Sequence, residues 1–557
     1  MSADIFKPAE CRVGQRVILK ASGYHDDDLT RPLIGIVNTY NEAHPGHCNY
    51  KELVEQIKNG IYRAGGTASE FGTISICDGM GGFHIGENYI LPSREIIADS
   101  IETVAYAEHL DGLVLMASCD KIVPGVLMAA ARLDIPCIVE CGGPMLNGAV
   151  FNGRKSDNTS YPEAMGLMID GKMTQQQVDL ITDIICPTCG SCSFLGTANS
   201  MCCFAETLGM TLPGSSMIPA VYNDRKRDAF ATGEAIVEMV RKGLTARKII
   251  TLESIKNSIA FAEATGASTN VVIHALAIAH EIGIEPEVVL PLFNEYMRKT
   301  PLVAQLNPNA DHGMEEFYRA GGVPRVMQYI APLLNLDVMT CTGKTYAENL
   351  KEYQYKYPED REVLRPMDEA FQPTGGLAVL RGNVCPDTGV SKPSGIKKEN
   401  RVFTGPAHCF NSEGECEAAI INKQIKPGEV IVIRYEGPKG GPGAREMCVA
   451  LKKLKGYGLL DHIAMITDGR FSGTNNGCFV GQISPEAAAG GPIAILRDGD
   501  MITIDTVDKL TVSVDLTDEE IASRLKEWHY EPKPLHGYIA KYASMVQSFN
   551  TGAVMKY

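Results

Sequence analysis

Short apolar runs alternate with longer stretches of helical periodicity through the first two-thirds of the chain. Residues 33–38, Leu-Ile-Gly-Ile-Val-Asn, predict a buried strand, and 50–64 a helix. Residues 73–77 predict a second strand and 93–109 a second helix. Residues 112–117 and 136–140 read as further strands, with a helix around 125–133 between them. Strands of four to six residues separated by helices imply βαβ units and a mainly parallel sheet. Ligands of such sheets gather where strands end and loops begin. Residues 194–208 read as helical, and 254–282 as two helices.

The pattern changes at Pro373-Thr-Gly-Gly376. Beyond it glycine, proline and short β-like runs dominate, at 430–435, 463–467, 493–496, 501–504 and 510–514. These features predict two domains, an α/β domain over residues 1–372 and a β-rich domain over 373–557. No internal repeat or low-complexity tract interrupts either.

Composition narrows the function. A net charge of −15 argues against a general binder of nucleic acid or anionic membrane, though a local cationic site can still hold an acidic small molecule. No apolar run reaches the roughly 18 residues that span a bilayer, and Met1 to Arg12 lacks the layout of a secretory signal. A cytoplasmic protein with reduced thiols is therefore expected, despite 17 cysteines. Many of these are expected to be small buried hydrophobes.

Four segments carry more glycine, acid and cysteine than folding requires: Cys77-Asp-Gly-Met80, Ser118-Cys-Asp-Lys-Ile-Val-Pro-Gly125, Cys186-Pro-Thr-Cys-Gly-Ser-Cys192, and the pair formed by 437–446 and 467–474. Thiolates favour iron–sulfur clusters or zinc, whereas carboxylates favour magnesium or manganese. Adjacent Cys119 and Asp120 could thus present a soft and a hard ligand to two different metals. Three protein thiolates, one fewer than the usual four, would leave one iron open to substrate. Structural zinc at Cys186, Cys189 and Cys192 lacks a second CxxC pair. The loop Gly437–Gly443 has phosphate-cradle composition but lacks the Gly-Lys-Ser/Thr ending of a P-loop. Taken singly, Asp78 and Glu446 read as cap or turn residues, and Ser472 as a solvated hydroxyl.

Together these segments resemble the dihydroxy-acid and phosphogluconate dehydratase family along almost the whole chain. Further landmarks are Leu91-Pro-Ser-Arg-Glu95, Gly142-Gly-Pro-Met145, Thr197-Ala-Asn-Ser-Met201, Arg434-Tyr-Glu-Gly-Pro-Lys-Gly-Gly-Pro-Gly443 and Thr467-Asp-Gly-Arg-Phe-Ser-Gly473. The resemblance implies a three-layer α/β domain, a β-barrel-like C-terminal domain, and a homodimer or dimer of dimers. It implies an iron–sulfur cluster, [4Fe-4S] or [2Fe-2S], ligated by Cys119 and Cys192. It also implies Mg2+ on Asp78, Asp120 and Glu446, with Lys121 matching a lysine that becomes carbamylated. Ser472 matches the general base, its alkoxide made accessible by the nearby cation. The implied reaction removes water from a 2,3-dihydroxy carboxylic acid and gives a 2-oxo acid.

Two positions depart from the family pattern. Members with a [2Fe-2S] cluster carry Pro-Cys-Asn where this chain reads Pro45-Gly-His-Cys-Asn49, so Gly46 stands in place of a ligand. The third thiolate is then Cys48, Cys77 or Cys189. Gln482 replaces a histidine, which leaves the substrate open between a branched dihydroxy acid of amino-acid biosynthesis and a sugar acid such as an aldonate or phosphogluconate. A non-catalytic iron–sulfur sensor is the reading from another class. It has no use for Asp78, Asp120, Lys121, Glu446 and Ser472 together.

Overall fold

The computed structural model describes residues 13–169, 171–471 and 477–556. Four strands form the first sheet: β1 (Leu33–Asn38), β2 (Thr67–Gly72), β3 (Gly112–Met116) and β4 (Cys137–Glu140). Their order is β2-β1-β3-β4, and every pair is parallel. β3 reads Gly-Leu-Val-Leu-Met and is buried throughout, as expected for a parallel strand covered on both faces.

The helices Tyr50–Arg63 and Asn223–Lys242 pack against each other on one side of this sheet. Each places a glycine at the crossing. A Cβ on Gly60 would lie 2.0 Å from the Phe230 carbonyl oxygen, and one on Gly233 would lie 2.2 Å from that of Ile57. Helices Ser93–Ala107 and Ile122–Leu133 pair with each other, and Asn270–Glu281 packs on the second of them. Helices lie on both sides of the parallel sheet, the expected three layers.

A two-residue hairpin, β5 (Val150–Phe151) and β6 (Arg154–Lys155), precedes the cysteine-rich loop. The second large sheet has eight strands in the order β14-β13-β9-β10-β11-β12-β8-β7. They are β7 (Ala378–Leu380), β8 (Thr388–Ser391), β9 (Val402–Phe410), β10 (Val430–Ile433), β11 (Ala464–Thr467), β12 (Cys478–Ser484), β13 (Met501–Asp505) and β14 (Thr511–Val514). A bridge between Arg381 and Thr511 joins the two outermost strands, with Arg381 N–H donating to Leu510 O at 2.9 Å. The sheet is thus nearly closed, the barrel-like form expected.

Two predicted strands are corrected. The second strand is 67–72, six residues before the apolar stretch 73–77. As an edge strand only its first two residues are buried, and its exposed Glu70 pairs with Lys58 at 2.7 Å, so it carries no apolar run. Residues 493–496 form a 3₁₀ turn, Pro492–Ile495, that follows Gly490 and Gly491. Its apolar residues are buried without a strand partner, and a short apolar run does not distinguish these cases. Among the described residues no helix is long and apolar enough to cross a membrane.

Candidate active site

The chemically rich segments converge at the carboxyl ends of the first sheet. The segment after β2 carries Cys77 and Asp78, and the turn between β3 and its following helix carries Cys119, Asp120 and Lys121. Glu446 arrives from the second sheet, in the loop after β10. Asp78, Asp120 and Glu446 each bring a carboxylate oxygen within 4.8 Å of the others. The Lys121 amine lies between them, 3.0 Å from Asp78 Oδ2, 3.0 Å from Asp120 Oδ2 and 3.7 Å from Glu446 Oε1.

Three acids meet one amine here and, at Glu446, the Arg470 guanidinium, so one negative group remains in excess in a largely buried site. Burial, then the charge of Asp120, pushes the Asp78 carboxyl well above the ordinary range. Burial also works against ionised Asp120, but Lys121 and the hydrogen bond from Asp78 outweigh it, so Asp120 lies low. The pair thus pulls the two carboxyls in opposite directions, and Asp78 Oδ1 is buried without a partner. Burial and Arg470 oppose the Lys121 ammonium, yet Asp120, Asp78 and Glu446 raise it overall. A hard divalent cation fits this donor set, because it would offset the carboxylates' mutual repulsion and occupy the orphan oxygen.

The cysteines divide into two groups. Cys119 is buried, and its thiol is pushed well up by burial and then by the neighbouring charges of Cys77, Asp120 and Cys192. Cys192 responds to burial, Asp120 and Cys77 in turn. Cys189 instead faces Cys48, and exposed Cys186 faces Asp157. Cys186 also lies within electrostatic reach of Cys77 and Cys192, so of the three cysteines of 186–192 only Cys189 is turned elsewhere, towards Cys48. Gly190, between them, has φ +129°, and a Cβ there would lie 2.3 Å from Met145 N. Only glycine fits that turn.

Sequence reasoning missed the residues that hold Glu446. Its Oε1 accepts from Arg470 Nη1 at 2.7 Å and Asn270 Nδ2 at 3.0 Å, while its N–H donates to Glu87 Oε1 at 3.0 Å. Gln482, one of the two departures, donates from Nε2 to Thr269 O at 3.1 Å and lies 3.4 Å from Asn270 Oδ1. It therefore supports the residue that holds Glu446. Arg470 stood in a recognisable motif, but Asn270 and Glu87 carried no signal because their partner is 176 and 359 residues away. Ser472 lies outside the described residues. It follows Arg470 and Phe471, and Phe471 O accepts from Thr269 Oγ1 at 3.2 Å.

The glycine-rich loop is not a phosphate cradle. Lys439 N–H and Gly440 N–H both donate to Glu486 at 2.9 Å, and Gly441 and Gly443 donate to carbonyls within the loop. Its amides are spent on its own shape. Buried Glu413 plays a similar part, accepting from Val449 N at 2.8 Å and Ala450 N at 3.1 Å just after Glu446. Burial pushes the Glu413 carboxyl up from 4.5 to about 8. A raised folded-state pKa gives stability that is complete below the unfolded value and lost as pH rises through the folded one. The melting temperature should therefore fall between about pH 5 and pH 9, and Glu413→Gln should flatten that fall. Melting curves across this range check it, and an equal slope in the variant would refute the assignment.

A cavity of about 110 Å³ is lined by Asp78, Asp120, Cys192, Thr197, Glu446 and Lys452. It adjoins a larger chamber of about 580 Å³ walled by Phe83, Tyr161, Met165, Ile169 and Val449, with Lys452 at the junction.

The model of the dihydroxy-acid/6-phosphogluconate dehydratase N-terminal region matches residues 31–349, and that of the C-terminal region matches 362–553. The chain belongs to the dihydroxy-acid/6-phosphogluconate dehydratase family. It is 47% identical to a dihydroxy-acid dehydratase of Acetivibrio thermocellus over all of both chains. It is 46% identical to one from Halothermothrix orenii over 98% of each chain, and 44% identical to one from Pyrococcus furiosus over all of both. The family consists of dehydratases, which places the chain among the hydro-lyases.

Proposed function

We propose that the protein converts a 2,3-dihydroxy carboxylic acid to a 2-oxo acid, as the dihydroxy-acid dehydratase of branched-chain amino-acid biosynthesis. The observation that carries this reading is the convergence of Asp78, Asp120 and Glu446 with Cys77, Cys119 and Cys192 on one cleft. The apolar walls of the adjoining chamber suit a branched alkyl tail. The three carboxylates would hold Mg2+ and the three thiols an iron–sulfur cluster. Bound there, the two would supply Lewis acidity at the substrate carboxylate, the C2 hydroxyl and the departing C3 hydroxyl.

The chain's own groups do the rest. Arg470 and Asn270 fix the Glu446 carboxylate, and Lys121 supplies the counter-charge of the trio until a metal takes that part. Carbamylation would turn Lys121 into another oxygen donor. Ser472 takes the C2 proton, and the resulting enol becomes the 2-oxo acid. Cys77 serves as third thiolate, since it shares the surroundings of Cys119 and Cys192 while Cys48 and Cys189 face each other. We also assign a domain division near residue 372, a cytoplasmic location and a homodimer.

A sugar-acid dehydratase is the second reading, favoured by Lys452. This lysine sits over the Phe83 ring at 4.3 Å and makes no ion pair among the described residues. A polar or anionic tail would use it.

Anaerobic preparation should yield iron, sulfide and magnesium together with turnover of 2,3-dihydroxyisovalerate. Cys77→Ser should lose most of the iron, whereas Cys48→Ser should retain it. Turnover of aldonates alone would move the assignment to sugar acids. Zinc without sulfide, and no turnover of either class, would overturn the cluster reading.

A further inference from the structure

Cys48 and Cys189 are left over by the active site and lie against each other. Cys48 follows β1 by ten residues, and Cys189 lies in the loop that supplies Cys192. The Cys48 Sγ–H donates to Pro45 O at 3.4 Å, and Gly190 N–H donates to the same oxygen at 2.9 Å. One carbonyl therefore gathers the thiol of one loop and the residue beside Cys189 of the other. The two thiols also interact directly, and each is only partly buried. Disulfides need sulfur atoms brought together by the backbone and oxidant access; the shared Pro45 carbonyl favours the first, and the partial exposure of both thiols gives the second.

We propose that Cys48 and Cys189 form a reversible disulfide, a redox clasp between the two loops that frame the site. The oxidant is a low-molecular-weight disulfide such as oxidised glutathione. One cysteine thiolate attacks it, releasing one glutathione thiolate and leaving a mixed disulfide on the protein. The second cysteine thiolate then displaces the other glutathione. Two protein thiols lose two protons and two electrons, and the oxidant is reduced to two thiols. The clasp closes beside Cys192, so it ties cluster-loop geometry to thiol redox state.

The experiment treats the anaerobically prepared full-length protein with oxidised glutathione, alkylates remaining thiols and maps peptides by mass spectrometry. A peptide pair linked through Cys48 and Cys189, removed by dithiothreitol, is expected. In Cys48→Ser the mixed disulfide on Cys189 has no resolving partner and should persist, as should that on Cys48 in Cys189→Ser. The proposal is overturned if both cysteines are alkylated after oxidation, or if the native chain keeps its glutathione adducts as the variants do.

Discussion

Asp120→Asn should lower turnover by about 10²–10⁴, because a metal held by the carboxylate trio contributes several kcal/mol of charge stabilisation and each 1.36 kcal/mol is roughly tenfold. The change is isosteric and removes one unit of negative charge. Before a metal is added, Asp78, Asp120 and Glu446 surround a single amine, and burial with the charge of Asp120 pushes the Asp78 carboxyl well up. Losing Asp120 relieves that repulsion while leaving Lys121 with Asp78 and Glu446. The metal-free variant should therefore melt within a degree or two of the parent, and magnesium should no longer raise its melting temperature. Activity assays across a magnesium titration, paired with melting curves, check both halves. Full activity in the variant would remove Asp120 from the ligand set. A large fall in metal-free stability would show that the residue acts as a structural ion-pair partner instead.

The parts of this architecture legible in the sequence are those whose signal is local. β3 and β4 are continuous apolar runs, and the helix between them, Ile122–Leu133, is apolar along almost its whole length. The two strands were predicted to within a residue at each end, and the helix start was placed three residues late. β2 was misplaced because an edge strand need bury only one end. β9 went unseen because Gly405 and Pro406 interrupt it. In the structure it still pairs on both sides, with β13 and β10, and Pro406 lies opposite Met501. The site shows the same division. Cys119, Asp120 and Lys121 are consecutive and lie at a strand end, so a short motif exposes them. Glu446 is recognisable only by resemblance, and its supports Asn270 and Glu87 converge through tertiary packing alone. The third thiolate stood between these cases. Cys48, Cys77 and Cys189 are equivalent in a linear reading, and only the fold separates the pair Cys48–Cys189 from the surroundings of Cys119.

Arg225→Met should be among the most destabilising single changes, costing about 3–5 kcal/mol, because it leaves buried carboxylates without their cation. Arg225 is fully buried in the helix Asn223–Lys242, and its Nη1 lies 3.1 Å from Glu140 Oε1 and 3.1 Å from Asp228 Oδ2. Glu140 is the last residue of β4, equally buried, and its other oxygen accepts from Thr232 Oγ1 at 2.7 Å. Burial, with the charge of Asp228, already raises the Glu140 carboxyl to about 8 despite Arg225. Without the guanidinium it would rise further, and Asp228 would lose its buried cation. Glu140→Gln combined with Arg225→Met should recover part of the loss, since the double change removes both charges and leaves only Asp228. The consequence reaches the site, because the chain continues from Glu140 into Gly142, whose N–H donates to Ser118 Oγ at 2.6 Å beside Cys119. An ion pair that anchors β4 thus also sets the loop presenting Cys119, Asp120 and Lys121. Chemical denaturation of the two single variants and the double variant measures the coupling, with iron retention as a second readout. If Arg225→Met were no less stable than the parent, or if its loss simply added to that of Glu140→Gln, the pair would not be the anchor of this strand end.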